Sequence, residues 1–280
     1  MTIHIVTDST SDLTPELLEG LDITVVPLSV YFGDEEFLDR VDIDAPGFYK
    51  RLVESKHLPR TSQPSVEAFT DVYRRLTANG DEVVSVHISS NLSGTLNSAH
   101  NARQALEDAA DRIHLFDGQS VSIGLGAVAL AAARAANEGK SIDEVLAEAE
   151  SVRRRTRVVA LVGTLEYLQR GGRIGRAQSM LGSMLRIKPI VQIENGEVAP
   201  FERVRTYKRA VERLFQLVEE HRNAEAIYVG SAANDDEGAE FAERVRASFP
   251  DLPVEQITLG PVLGVYLGPE ALGVGIVDKP

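Results

Sequence analysis

The sequence predicts an α/β protein of two domains. An N-terminal parallel-sheet α/β/α domain is expected over residues 1–155, and a C-terminal mixed or antiparallel α/β domain over residues 156–280. Three observations predict it. Short β-branched runs alternate with helical segments through the first half, the pattern of βαβ units. Beyond residue 158 that alternation gives way to a hairpin, marked by Asn195-Gly196 between two apolar runs. The chain of 280 residues, 43% hydrophobic and 25% charged, is long enough for two cored domains of ordinary composition.

In chain order, residues 3–6 form the first strand and run into Thr7-Asp8-Ser9-Thr10-Ser11-Asp12. Thr14 caps a helix whose first position is Pro15, where no amide hydrogen is needed. Residues 23–32 read as a second strand, in which Pro27 imposes an edge or a bend. A turn at 33–36, an acidic loop at 39–44 and a short helix over 48–53 follow. Pro59-Arg60-Thr61-Ser62-Gln63-Pro64-Ser65 is a hydroxyl-rich loop before an amphipathic helix carrying Val66, Phe69, Val72, Tyr73 and Leu76. Asn79-Gly80 stops that helix. Residues 83–88 form a buried strand that enters Ser89-Ser90-Asn91-Leu92-Ser93-Gly94 and then a helix over 95–106. A strand at 113–116 precedes residues 120–137, which are small and apolar on every face and so form a buried helix. Its Gly124 and Gly126 allow a close backbone approach. Ser141-Ile142-Asp143-Glu144 is a capping box for the next helix, which ends in the arginines of 153–157. In the second half the expected elements are a strand at 158–162, the 190–198 hairpin, and helices at 206–220 and 236–249 around a strand at 226–229. Strands at 256–259, 262–267 and 272–277 close the chain.

Charge and composition narrow the function. A net charge of −13 makes nucleic acid an improbable bulk partner. Without cysteine there is no disulfide framework, no thiolate nucleophile and no Cys-based zinc site. The N-terminal residues read as a strand, not a signal peptide, and no apolar run reaches bilayer length, so a cytoplasmic protein is expected. His4 and Asp8 lie four apart on a strand, about 13 Å, too far to share a metal. The other histidines are scattered, so no metal site and no metal cofactor are expected. Gly124-Leu125-Gly126-Ala127-Val128-Ala129 matches a dinucleotide pattern but lies within a helix, where tight packing explains it.

The chemistry concentrates in the hydroxyl loops. Strand, polar turn and helix aim free backbone N–H groups at a small anion, and Ser93 beside Gly94 adds a hydroxyl. The plainer reading of Ser93 is a helix cap. Thr61 and Ser62 also precede a helix, and two such loops are suited to converge on one anion. A nucleophile elbow would need Gly where Asn91 stands. Arg170, Arg173 and Arg176 cluster around Gly171-Gly172, with Arg186 and Lys188 following. They form either a docking patch for a phosphate-bearing or acidic partner or a solvated basic face. The glycine-dense stretch from Gly260 to Gly275 implies close backbone approach, by a ligand or by the other domain.

Together these segments resemble the DegV family, the fatty-acid-binding subunits of bacterial fatty acid kinases. The resemblance covers nearly the whole chain. It rests on 5–13, on Arg60-Thr61-Ser62-Gln63-Pro64-Ser65, on Ser89-Ser90-Asn91-Leu92-Ser93-Gly94-Thr95, and on 164–189 and 260–275. It implies a two-domain α/β protein with one long-chain fatty acid buried between the domains. The carboxylate would be held by Thr61 and Ser93, with Ser62, Gly94 and Tyr266 beside them. The protein would be a carrier with no chemistry of its own and no cofactor beyond the bound acid. By the same resemblance, a dihydroxyacetone-kinase-like fatty acid kinase phosphorylates the acid, and the acyl phosphate passes to phospholipid synthesis. Such a role allows transient contact with a membrane surface. One departure is Tyr266, where many members have His. A phenol donates a hydrogen bond but does not switch charge near neutral pH as an imidazole does. The rival reading is an acyl hydrolase or transferase dependent on Ser93, which needs a base beside that hydroxyl. A third is a partner-docking regulatory protein whose lipid is structural.

Overall fold

The computed structural model describes residues 2–55, 57–182, 187–233 and 235–280. The chain divides into two compact units, Met1–Ser29 with Ser62–Arg154, and Val30–Thr61 with Arg155–Pro280. The expected cut near residue 155 left 30–61 in the first domain, whereas that segment belongs to the second unit.

The first unit is built on four parallel strands in the order Ile23–Val26, Ile3–Asp8, Glu82–His87, Ile113–Asp117. Parallel pairing requires crossover connections, and helices supply most of them. Val66–Leu76 and Thr95–Gln104 pack Phe69, Tyr73, Ala99 and Ala102 on Val6, Val83 and Ile113. Val84 and Val86 alternate to the opposite face, and the Ile123–Asn137 helix packs on the same two central strands. A Cβ on Gly126 would lie 2.7 Å from the Ser11 carbonyl oxygen, so that glycine lets the chain after the first strand sit on the helix. The Ser141 N–H donates to Glu144 at 2.8 Å, closing the capping box and holding the Glu144 carboxyl below its ordinary range.

The second unit holds a six-stranded sheet in the order Glu197–Val204, Lys188–Glu194, Thr156–Leu161, Leu272–Asp278, Ala224–Ser231, Val254–Thr258. Every pair in it is antiparallel except the last. Asn195 and Gly196, with φ of 54° and 76°, make the hairpin turn. The helices Tyr207–Glu220 and Asp235–Ser248 close the core with Leu214, Phe215, Val218, Phe241 and Val245. A small sheet, Glu35–Leu38, Ser29–Phe32, Arg60–Ser62, accompanies the Ala45–Glu54 helix.

Two expectations are corrected. Residues 262–267 are not a strand; Pro261–Leu267 is a helix, entered at Gly260 with Pro261 in its first turn. A Cβ on Gly264 would fall on the Phe48 ring, so the glycine is a packing notch on a helix. Residues 23–32 are two strands in two sheets, Ile23–Val26 and Ser29–Phe32, because Pro27 ends the first at the sheet edge.

Candidate functional site

Ser93 lies at the end of a turn that leaves the Glu82–His87 strand. The Ile88 N–H donates to Asp8 Oδ2 at 3.0 Å and the Ser89 N–H to the Ser120 carbonyl at 3.0 Å. The Leu92 and Ser93 N–H groups turn back to the Ser89 carbonyl at 2.9 and 3.1 Å. Gly94 is the helix cap and supplies no side-chain bond, so Ser93 is not the cap. The Ser93 hydroxyl is half-buried and lies 2.9 Å from Thr95 Oγ1, while its oxygen accepts the Thr95 N–H at 3.3 Å. Two hydroxyls sharing one bond leave one O–H free to donate. A Cβ on Gly94 would fall on the Gln63 side-chain amide, which donates to Ser98 Oγ at 2.9 Å. The Gln63 end of the first hydroxyl loop thus packs on the Ser93 turn.

Thr61 belongs to the Arg60–Ser62 strand, where a loop was expected. Its Oγ1 lies 2.5 Å from the Tyr266 hydroxyl, at the end of the Pro261–Leu267 helix. Again one O–H of the pair remains to donate. The Arg173 guanidinium sits 5.3 Å from the Tyr266 ring centroid, and its Nη1 donates to the Gly171 carbonyl at 2.7 Å. A Cβ on Gly171 would lie 2.5 Å from the Tyr266 ring, so the arginine loop and the tyrosine are fitted to each other. Ser62 is exposed, with its hydroxyl directed to the Gln63 carbonyl at 3.2 Å.

The basic stretch carries its own counter-charges. Arg170 pairs with Glu166, and Arg176 pairs with Glu194 and, at 3.8 Å, Glu197. Lys188 meets Glu270 at 2.7 Å, and Arg186 lies outside the described residues.

The sequence did not reveal a buried polar chain. His87 Nδ1 lies 3.0 Å from Asp8 Oδ2, His87 Nε2 2.7 Å from Ser85 Oγ, and Ser85 Oγ 2.7 Å from the Tyr73 hydroxyl. All four side chains are fully buried, and burial raises the Tyr73 phenol well above its ordinary range. His87 is therefore committed to Ser85 and Asp8. His4 is bonded not to Asp8 but to Asp22, at 2.5 Å. The signal for the chain was a lone histidine at the end of a β-branched strand whose parallel neighbour ends in Asp8.

A family model described as an uncharacterised protein of the DegV family matches residues 2–279. The chain belongs to the DegV family. Protein DegV of Bacillus subtilis is 34% identical over 98% of this chain and 98% of its own. A DegV domain-containing protein of Clostridium acetobutylicum is 38% identical over 98% and 97%. Among solved structures, a DegV family protein from Thermus thermophilus, described by its fatty acid binding, superposes with a TM-score of 0.91 at 36% identity, covering 100% of both chains. B. subtilis DegV, described as a fatty acid binding protein, gives 0.90 at 33% with both chains fully covered. A stearic acid-binding protein from Eubacterium ventriosum gives 0.91 at 31%, covering 99% of this chain and 98% of that one. The parallel sheet and the mixed sheet are thus the DegV architecture. Among the described residues, no helix is long and apolar enough to cross a membrane.

Proposed function

We propose that this DegV protein binds one long-chain fatty acid in a buried tunnel and presents its carboxylate to a separate, dihydroxyacetone-kinase-like fatty acid kinase for acyl-phosphate formation. The observation that carries the reading is the full-length match, at 36% identity, to a solved DegV protein described by its fatty acid binding. The hydroxyls of Thr61 and Ser93 hold the carboxylate, with Ser62, Gly94 and Tyr266 beside them. Each of the two hydroxyls shares one bond with a neighbour and keeps one donor per pair. Burying about 14 methylenes contributes on the order of 11 kcal/mol gross, so the tail supplies the affinity. The hydroxyls offset desolvation of the head. Neutral donors also leave a carboxylate oxygen nucleophilic toward a phosphoryl donor, where a bidentate arginine would mask it. Arg170, Arg173 and Arg176 form the docking face for the kinase. Their surface ion pairs are weak enough to exchange for a partner's acidic groups.

Mass spectrometry of lipid extracted from the native protein tests the first part; a single fatty acid class in stoichiometric amount is expected. With the kinase added, Ser93→Ala is expected to lose acyl phosphorylation far more than it loses lipid, and equal losses would overturn presentation of the carboxylate. Covalent labelling of Ser93 by a fluorophosphonate would establish the acyl hydrolase instead.

A further inference from the structure

The chain Asp8–His87–Ser85–Tyr73 has no part in the function just proposed, yet it occupies the middle of the parallel sheet. A carboxylate only accepts, so His87 Nδ1 carries the hydrogen in its bond to Asp8. With the imidazole in its neutral form, Nε2 accepts from the Ser85 hydroxyl and Ser85 accepts from Tyr73, an arrangement with one donor and one acceptor at every link. Asp8 receives two donors on each oxygen. Thr10 N–H and Thr10 Oγ1 reach Oδ1 at 3.1 and 2.5 Å, and His87 Nδ1 and Ile88 N–H reach Oδ2, both at 3.0 Å.

The Ile88 bond has the functional consequence. Ile88 begins the turn that ends at Ser93, and Ser89, to which Leu92 and Ser93 return, is tied to Ser120. Ser90, next in the turn, donates its hydroxyl to Asp117 Oδ2 at 2.6 Å. The turn is therefore anchored at Ile88, Ser89 and Ser90, and the Asp8 carboxylate holds the first of these, where the strand ends. Thr10 and His87 keep that carboxylate from rotating. Ser85, His87 and Asp8 also have the composition of a hydrolytic triad, but Ser85 is fully buried and bonded to Tyr73, so no acyl group reaches it.

We propose that the Asp8–His87–Ser85–Tyr73 chain is a positioning device for the Ser93 hydroxyl, and that it sets how strongly the protein prefers a carboxylate head group to an uncharged one. The proposal rests on Ser93 as a carboxylate donor, and the test separates the two. Oleic acid and oleyl alcohol, which share a tail, are titrated into the delipidated full-length protein. Ser93→Ala is expected to lower the acid-to-alcohol affinity ratio about tenfold, the effect of losing one hydrogen bond to a charged group. Asp8→Asn is expected to lower it about three- to tenfold while alcohol affinity stays within about twofold, and Asp8→Asn adds nothing in the Ser93→Ala background. A merely structural role would lower thermal stability and both affinities together, and an unchanged ratio in Asp8→Asn overturns the proposal. An unchanged ratio in Ser93→Ala would instead overturn the carboxylate reading of Ser93, and the positioning role with it. If Asp8→Asn does not fold, Ser85→Ala and Tyr73→Phe at the far end of the chain decide. A two- to threefold fall is then expected, and no fall in either variant overturns the proposal.

Discussion

The two hydroxyls proposed to hold a carboxylate, those of Ser93 and Thr61, are held in opposite ways within their own units. Ser93 ends a turn whose root is fixed by a fully buried carboxylate and a histidine, and its own bonds are local, to Thr95. Thr61 is half-buried on a short strand and is tied by its oxygen to a tyrosine 205 residues away in sequence. In the parallel-sheet unit, position comes from a polar network sealed in the core. In the mixed-sheet unit it comes from one aromatic side chain wedged between Arg173 and Gly171. The first arrangement is stiff because breaking any link strands a polar group away from water. The second is adjustable, because a side chain with a few neighbours can move without opening the core.

The largest effect that can break this contrast is Asp8→Ala. It leaves His87 Nδ1–H, the Thr10 donors and the Ile88 N–H without their acceptor, and several orphaned buried donors together should cost about 3–5 kcal/mol in urea denaturation. A cost below about 1 kcal/mol would show the Ser93 side to be no stiffer than the Thr61 side. Next comes Gly171→Ala, whose added Cβ would stand 2.5 Å from the Tyr266 ring. Overpacking there is expected to cost about 1–3 kcal/mol, or to push the ring away from Thr61 and weaken fatty acid binding at little cost in stability. Denaturation and fatty acid titration on the same variant distinguish these, and the second outcome would mark the tyrosine as the movable part. Tyr266→Phe sharpens the comparison more gently. It deletes one hydroxyl of the pair at a half-buried position, so the fatty acid dissociation constant should rise about five- to tenfold with melting temperature nearly unchanged.

The smallest expected effect is on pH. Burial raises the Tyr73 phenol, with the Ser85 hydrogen bond opposing it in part. Below about pH 10, the ordinary phenol value, both folded and unfolded chains keep the proton and the contribution is fully present. Above it the unfolded chain loses its proton first, so stability falls as pH rises toward the elevated folded value. Melting temperatures between about pH 9 and 11 should show that fall, and Tyr73→Phe should reduce it without abolishing it, because the Tyr207 and Tyr167 phenols are raised as well.

Much of the architecture was legible because periodicity and caps are local. Thr14, Ser141 with Glu144, and Thr206 each mark a helix start that the structure contains. Asn195-Gly196 marks the hairpin for the same reason, since few residues other than these take positive φ twice in succession. The Pro261–Leu267 helix was hidden because valine, leucine and tyrosine suit a strand, and what favours a helix there is the fit of Gly264 to Phe48, a neighbour distant in sequence. Near the candidate site, the loops of Thr61 and Ser93 and the residue Tyr266 stood out in the sequence, but the Thr61–Tyr266 and Ile88–Asp8 bonds did not. Tyr266 and Asp8 reach their positions only through tertiary packing, and nothing near them in sequence announces it.

The division of the chain also carries a consequence for its synthesis. Residues 30–61 belong with 155–280, yet the whole of 62–154 is made in between. The strand Ser29–Phe32 and the apolar side of Ala45–Glu54, with Phe32, Phe48 and Tyr49, therefore emerge from the ribosome long before Gly264 and its helix exist to cover them. All of the parallel-sheet unit is present in the nascent chain while that segment still lacks its cover. Message truncated after codon 154 but before codon 261 would yield a half-finished product that exposes these rings, a natural client for chaperones and proteases.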